Sequence, residues 1–283
     1  MRPKPLITHA ALAIIAIAMM LPFLWMLLAS FKTLPDIESG SPIPSTWHPE
    51  NYKAVFEMNR STGEQIAGSS QRISFARYYF NSIFVALWVT FLQTLTSAMA
   101  AYAFARLRWP GRDTVFKLYL ATLMIPGVVT MIPNYALMVK LHLLDSYTGL
   151  IVPAAFSAFG TFLLRQFMLT IPTSLDEAAR IDGASHWRTF WDIILPMARP
   201  GLITLGILAF LGNYGSFFWP LVLIKSEHLR TLPIGLLQFD TIYGRQTNLL
   251  MAASSLAIIP PVLLFLAGQR FLVKGIQLGA VKG

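Results

Sequence analysis

The chain has 283 residues, of which 55% are hydrophobic and 12% charged, with a formal net charge of +9. Its mean hydropathy of +0.58 lies far above that of a soluble globular domain and excludes that class. The lack of cysteine removes disulfides, thiol nucleophiles and Cys-based metal sites, and a basic excess in so apolar a chain marks cytoplasmic loops rather than a nucleic-acid surface.

A bilayer core of ~30 Å takes roughly 20 apolar residues in a helix. Windows of that kind occupy residues 6–31, 78–105, 118–139, 146–165, 200–224 and 246–269. The first follows "MRPK"; its length and the five windows behind it argue against a signal peptide. Residues 32–77 are rich in Pro, Ser and Gly, and predict one amphipathic helix near residues 50–58, with Tyr52, Val55 and Phe56 on one face. Pro126, Gly127 and Pro133 predict a kinked or broken third span. The fourth window is the shortest and closes on Arg165, whose long side chain reaches toward the interface. On the fifth, Gly206 and Gly212 are expected to admit a close helix neighbour. Residues 225–245 form a second sizeable loop. The expected architecture is a single all-α membrane domain, residues 1–283, with six transmembrane helices.

Lys and Arg set the orientation. With the N-terminus in the cytoplasm, the inner segments carry twelve basic and five acidic residues, and the outer segments nine and eight. The sharpest stretch, "RLRWPGRDTVFK", then lies inside. Both termini and the loop at residues 172–196 are cytoplasmic in this reading, and the chain is placed in the bacterial cytoplasmic membrane.

Apart from the closing Arg165, no window contains Asp, Glu, Lys or Arg. Proton-coupled carriers place such groups in the membrane, where they are costly and functional. No G-x-x-x-x-G-K-[ST] phosphate loop occurs either. The chain is therefore expected to be no enzyme and to bind no cofactor. If it pumps, ATP and Mg belong to another polypeptide. If it does not, it is an ATP-independent channel or facilitator.

The stretch "DEAARIDGASHW", Asp176 to Trp187, bears on that choice. Pro172 ends the preceding helix, Ser174 is placed to cap a new one, and Glu177 three residues later completes a capping box. Asp176 and Glu177 suit the positive end of a helix. Leu175, Ala178, Ala179 and Asp182 fall at i, i+3, i+4 and i+7, hence on one face. Gly183 supplies the left-handed stop. A second short helix starts near Ser185, with Trp187, Phe190, Trp191 and Ile194 on one face, and Pro196 disfavours its continuation past Leu195. Helix, glycine turn and helix describe a knob presented to a partner, or a capped loop with no partner.

The run "EAARIDGASHWRTFWDIILPMARPGL" closely resembles the EAA loop of permease subunits in binding-protein-dependent ABC importers. Glu177, Ala178, Ala179, Asp182, Gly183, Ala184, Ile193, Leu195 and Pro196 fill the places of that motif. "LPFLWMLLASFKT", "RYYFNSIFVAL", "AAYAFARLRWPGRD", "LLDSYTGLIVP" and "GAVKG" extend the likeness along the chain, toward the carbohydrate-uptake branch and its second, six-helix maltose-transporter-type permease. The resemblance implies a translocation path shared with a second permease subunit, two ATPase subunits below, each taking one EAA helix in a cleft, and an extracytoplasmic solute-binding protein outside. It further implies that Glu177 meets a basic residue of the ATPase, that residues 225–245 face the binding protein, and that the tail "GIQLGAVKG" reaches between the ATPases. The substrate implied is a sugar or oligosaccharide, with a glycerol-3-phosphate-like polyol phosphate as the alternative. One place departs from the family: where "WNxxxWP" is usual late in helix five, this chain has "YGSFFWP". Tyr214 and Gly215 replace Trp and Asn, while Trp219 and Pro220 match.

Polar groups inside the windows are few. Gln93, Asn134 and Asn213, with Trp219, are the candidates for a sugar path; Thr94 and Thr204 share their setting. Each of these side chains serves equally well as an interhelical hydrogen bond, and Trp219 as an interfacial anchor.

Overall fold

The computed structural model describes residues 4–61, 75–241 and 246–280, and every regular element among them is helical. In chain order these are α1 (Lys4–Ala29), α2 (Leu34–Glu38), α3 (Glu50–Ser61), α4 (Phe75–Arg106), α5 (Arg112–Ala121), α6 (Gly127–Lys140), α7 (Tyr147–Ile151), α8 (Ala158–Leu169), α9 (Ser174–Ile181), α10 (His186–Thr189), α11 (Leu195–Met197), α12 (Arg199–Tyr214), α13 (Phe218–Leu223), α14 (Leu232–Thr241), α15 (Thr247–Ala257) and α16 (Ile259–Ala280).

Three stretches are each long and apolar enough to cross a membrane: Ile7–Ala29, Phe75–Arg106 and Thr247–Phe271, the last running through α15 into α16. At 1.5 Å per residue, α4 is about 48 Å long and outruns the hydrocarbon core. Three further helix pairs are long and apolar enough only when the two helices of each bent pair are taken together. Arg112–Met124 and Gly127–Lys140 meet at 99°, Tyr147–Ala155 and Ala158–Leu169 at 42°, and His186–Met197 and Arg199–Tyr214 at 77°. The first bend falls at Ile125 and Pro126, where the sequence predicts a break: Ile125 is extended, as the residue before a proline should be. Pro133 sits inside α6, which runs on through it. The fifth window divides differently from the apolar run in the sequence. α12 stops at Tyr214, and α13 begins only at Phe218.

The described residues form two compact units. One comprises Met1–Tyr79 and Thr231–Pro260, the other Phe80–Arg230 and Pro261–Gly283. In the first, the residues after α1 are tied by polar contacts. The Asn51 amide donates to the carbonyls of Ser30 and Lys32, both at 2.9 Å. Tyr52 shares a hydrogen bond with Ser30 at 2.8 Å and accepts one from Ser255 at 3.0 Å. The predicted amphipathic helix is α3, with Val55 buried and Phe56 edge-on to Phe75.

The second unit has two apolar clusters. One gathers Ala98, Ala101 and Tyr102 of α4, Leu164 and Met168 of α8, Phe190 and Ile194, and Leu205 of α12. The other gathers Val85, Val89, Met138, Leu150 and Leu223. In lipid such clusters are held by close packing rather than by expulsion of water, so small residues count. A Cβ at Gly160 would lie 2.5 Å from Ser97 Oγ, and one at Gly201 2.7 Å from the Phe167 ring. These are two of the close approaches; a Cβ at Gly149, against the Leu143 carbonyl oxygen, would be another. Gly206 and Gly212, expected in that role, are not: the nearest atom to a Cβ at Gly206 is 3.9 Å away, and at Gly212 nothing lies within 4 Å. Composition marks a glycine as small but cannot say which way it faces.

Candidate functional site

The stretch from residue 172 to residue 196 folds as helix, glycine turn and helix. α9 spans Ser174–Ile181, with Asp182 as its C-cap. Gly183 has φ +76°, its N–H donates to the Arg180 carbonyl at 3.0 Å, and the Ala184 N–H donates to Ala179 at 2.8 Å. This pair of bonds is a Schellman stop. The Ser185 side chain accepts the Arg188 N–H and starts α10.

Two local expectations fail. The capping box of Ser174 and Glu177 does not form. Thr173 is already helical, and its carbonyl accepts the N–H groups of Asp176 and Glu177 at 3.0 and 3.2 Å, which leaves Ser174 one residue inside. Nor does the second helix end at Leu195. Phe190–Ile194 form a π turn in which the Leu195 N–H reaches back to the Phe190 carbonyl, and α11 carries the chain to Met197. The wider turn restarts the helix at Leu195, so Pro196 lies in a first turn, where a missing N–H costs nothing.

α9 presents two faces. Leu175 packs toward the α4–α8–α12 cluster and Ala179 is 4% exposed. Glu177, Ala178, Asp182 and Gly183 lie on the surface. The two alanines, expected on one face, are divided between them. Ile181, which the sequence reading did not single out, is 87% exposed; its spacing of three from Ala178 was the available signal. In the second helix Phe190 and Ile194 are buried, while Trp187 and Trp191 stay exposed in edge contact with centroids 5.7 Å apart. Leu195 and Pro196 are half-buried, as is Ala184.

The loop is held from below by α4. The Arg106 guanidinium donates through Nη1 to the Ile171 carbonyl at 2.9 Å and through Nη2 to that of Pro172 at 3.1 Å. Nη2 also lies 2.9 Å from Asp176 Oδ2. The Arg106 side chain is 3% exposed and that of Asp176 20%. One turn earlier, Tyr102 donates to the His186 carbonyl at 3.1 Å and its ring meets Phe190 at 5.2 Å. Nothing in the sequence links residues 65 or more positions apart, so neither Arg106 nor Tyr102 was legible as part of this site.

Of the candidate path residues, two come together. The Asn213 amide donates to Gln93 Oε1 at 3.3 Å and to the Ala209 carbonyl at 2.7 Å. Asn134 lies exposed on α6. Trp219 donates through Nε1 to the Gly149 carbonyl at 3.2 Å and packs on the second cluster. Thr204 is buried and bonds the Pro200 and Phe271 carbonyls. The Thr94 hydroxyl is buried without a hydrogen-bond partner.

Residues 225–230 are held as well. Asp145, with φ +51°, accepts the N–H groups of Lys225 and Ser226 at 2.9 and 2.8 Å and the Ser226 hydroxyl. Burial pushes its carboxyl up, but the Ser226 and Lys225 bonds outweigh this and hold it below the usual carboxylate value. Asn81 donates to the carbonyls of His228 and Arg230 at 2.9 and 2.8 Å and accepts from Tyr147 at 2.7 Å. The rest of the loop reading lies partly outside the described residues, at 242–245, as do residues 62–74 of the earlier loop and the last three residues of the tail.

Residues 93–278 match the family model for the binding-protein-dependent transport system inner membrane component. The chain is 35% identical, over 275 residues covering 96% of it and 94% of the relative, to an arabinooligosaccharides transport system permease protein of Halalkalibacterium halodurans. An sn-glycerol-3-phosphate transport system permease protein of Yersinia enterocolitica is 39% identical over 204 residues, 71% of this chain and 73% of that one. A bacterial ABC transporter involved in the import of the acidic polysaccharide alginate superposes with a TM-score of 0.82 at 22% identity, covering 95% of this chain and 96% of that one. At that identity the superposition speaks for the fold.

Proposed function

The chain belongs to the inner-membrane components of binding-protein-dependent transport systems, and from that premise we propose a working arrangement for its parts. It is a permease of an ABC importer, and the family's work is transport rather than catalysis. In our reading α9 is the element that one of two ATPase subunits takes in a cleft, the other taking the corresponding helix of a second permease. Glu177, Ala178, Asp182 and Gly183 form the contacting face, with Ile181 at its centre, while Ala179 and Leu195 seat the loop and Pro196 and Ala184 shape it. The observation that carries this is the exposure of Ile181, 87% on a helix whose other side is seated through buried Ala179 and partly buried Leu175. An apolar side chain so placed is costly in water and suits a partner's cleft.

ATP and Mg are then held by the partner subunits. Closure of the ATPases moves α9, the membrane helices rock, and an outward-facing path receives cargo from an extracytoplasmic binding protein at residues 225–245. Both termini are cytoplasmic in this arrangement. Gln93 and Asn213 offer amide groups to hydroxyls on that path; Asn134 and Trp219 are further candidates. A neutral sugar or oligosaccharide fits best. The full-length relative is named for arabinooligosaccharides, and the predicted spans hold no Arg or Lys cluster to bind a phosphate. The relative named for sn-glycerol-3-phosphate keeps a polyol phosphate as the second reading.

The test is co-purification with two ATPases, a second permease and a binding protein, followed by ATPase assays. Stimulation by loaded binding protein that is lost in Glu177→Ala and Gly183→Asp is the expected result. A chain that purifies alone and passes solute without ATP would refute the proposal.

A further inference from the structure

Tyr102 and Arg106 are four residues apart on α4, hence on one face and one turn from each other. Arg106 holds the residues that lead into α9, through the carbonyls of Ile171 and Pro172 and the Asp176 carboxylate. Tyr102 holds the residues that lead out of the glycine turn, through the His186 carbonyl and the Phe190 ring. A single turn of one helix thus brackets Gly183 from both sides.

We propose that Tyr102, Arg106 and Asp176 form a clamp that makes α9 and the lower half of α4 one rigid body, so that movement of the loop enters the membrane through α4. Tyr102 and Arg106 are positioning residues and touch neither nucleotide nor substrate. The inference rests on the permease reading above and names the element through which that coupling runs.

The geometry favours α4 over the loop's own covalent neighbours. Toward α12 the chain turns by 77° between Met197 and Arg199. Toward α8 it passes Thr170 to Thr173, with Pro172 among them. In both places the helical backbone is bent or interrupted. α4, by contrast, is unbroken from Phe75 to Arg106. Gln93, which bonds Asn213 of α12, lies 13 residues up the same helix, about 20 Å. The charge chemistry is also fitted to holding. Arg106 is 3% exposed, where an unpaired guanidinium is strongly disfavoured, so it gives up Asp176 only at high cost. Its planar fork reaches three acceptors from two fixed nitrogens, Nη1 and Nη2, while Nε is buried without a partner; a lysine offers its three donors from a single nitrogen and lacks that spread.

The chain has no cysteine, so labels can be placed cleanly. Ser174→Cys on α9 and Phe91→Cys, 58% exposed on the lower half of α4, carry spin labels in the assembled complex in nanodiscs. Their distance is measured with and without ATP trapped by vanadate. Uptake of arabinotriose per ATP hydrolysed is measured in proteoliposomes. The clamp keeps the distance narrow and unchanged by nucleotide. Asp176→Asn and the milder Tyr102→Phe broaden it, and Asp176→Asn lowers uptake per ATP by about ten-fold, with Arg106→Lys in between. A shift of about 5 Å or more, one helical turn, on ATP trapping in the chain with its clamp intact overturns the proposal. So does a distribution equally sharp in Asp176→Asn and Tyr102→Phe. If no ATPase subunit joins the complex, the permease reading fails and this inference with it; normal ATP-driven uptake with a moving distance sinks the clamp alone.

Discussion

Two loops of the second unit are gripped by side chains of opposite sign. Residues 171–176 are held by a cation, Arg106, which gathers two carbonyls and a carboxylate. Residues 225 and 226 are held by an anion, Asp145, which gathers two backbone N–H groups and a hydroxyl. In the first the gripping guanidinium is almost wholly out of water, and its Asp176 partner is 20% exposed. The second is only half-buried. Charge-assisted bonds are strong in both, but the penalty for breaking one rises as solvent is excluded. The loop proposed to bear force therefore has the costlier grip, and the loop proposed to meet the binding protein the looser one.

The largest expected effect tests this ranking. Asp176→Asn leaves Arg106 charged and short of its counter-ion, which should cost about 3–5 kcal/mol and lower the thermal midpoint in detergent. Asp145→Ala should cost about 1–3 kcal/mol, and locally: amide exchange should quicken at Lys225 and Ser226 while α9 stays protected. Equal losses from both would remove the comparison. Acid sharpens it. Because the folded Asp145 carboxyl titrates below its unfolded value, the stability it supplies is present above pH ~4 and is lost as pH falls through the lowered value. The protection factors at Lys225 and Ser226, corrected for the intrinsic pH dependence of amide exchange, should thus be flat from neutrality to about pH 5 and fall below about 4. The smallest effect concerns the turn alone. Gly183→Ala should cost about 1 kcal/mol, because φ +76° is strained for any residue with a Cβ; Gly183→Asn should cost less. Both are measured by the same thermal midpoint.

Much of the local structure was legible in the sequence because it depends on neighbours. Gly183 stops α9, Ser185 starts α10, and Pro126 marks the third-span break; each follows from the conformational habits of one or two residues. The capping box failed for an equally local reason, since Thr173 turns helical one residue early. What stayed hidden depends on contacts between distant segments. Gly206 and Gly160 are alike in the sequence, yet only Gly160 faces a neighbour, and only the packing of α8 on α4 and α12 decides it. Arg106 reads as one more cytoplasmic base in "ARLRWPGR". Its buried pairing with Asp176 requires the fold. The division of Ala178 from Ala179 is intermediate: helical periodicity places them 100° apart, but which of the two faces inward depends on Leu175 finding the cluster.

The π turn at Phe190–Ile194 acts as a spacer of fixed length. It holds one residue more than an α turn would, and every position after it is rotated accordingly, by about 100° for that single residue. Deleting any one residue in the turn would restore a regular helix and, at the same stroke, swing Ala198 off the cluster in which it is buried. The segment thus tolerates exchange of its side chains far better than a change in their number, and insertions or deletions in this loop should be rarer among working variants than substitutions.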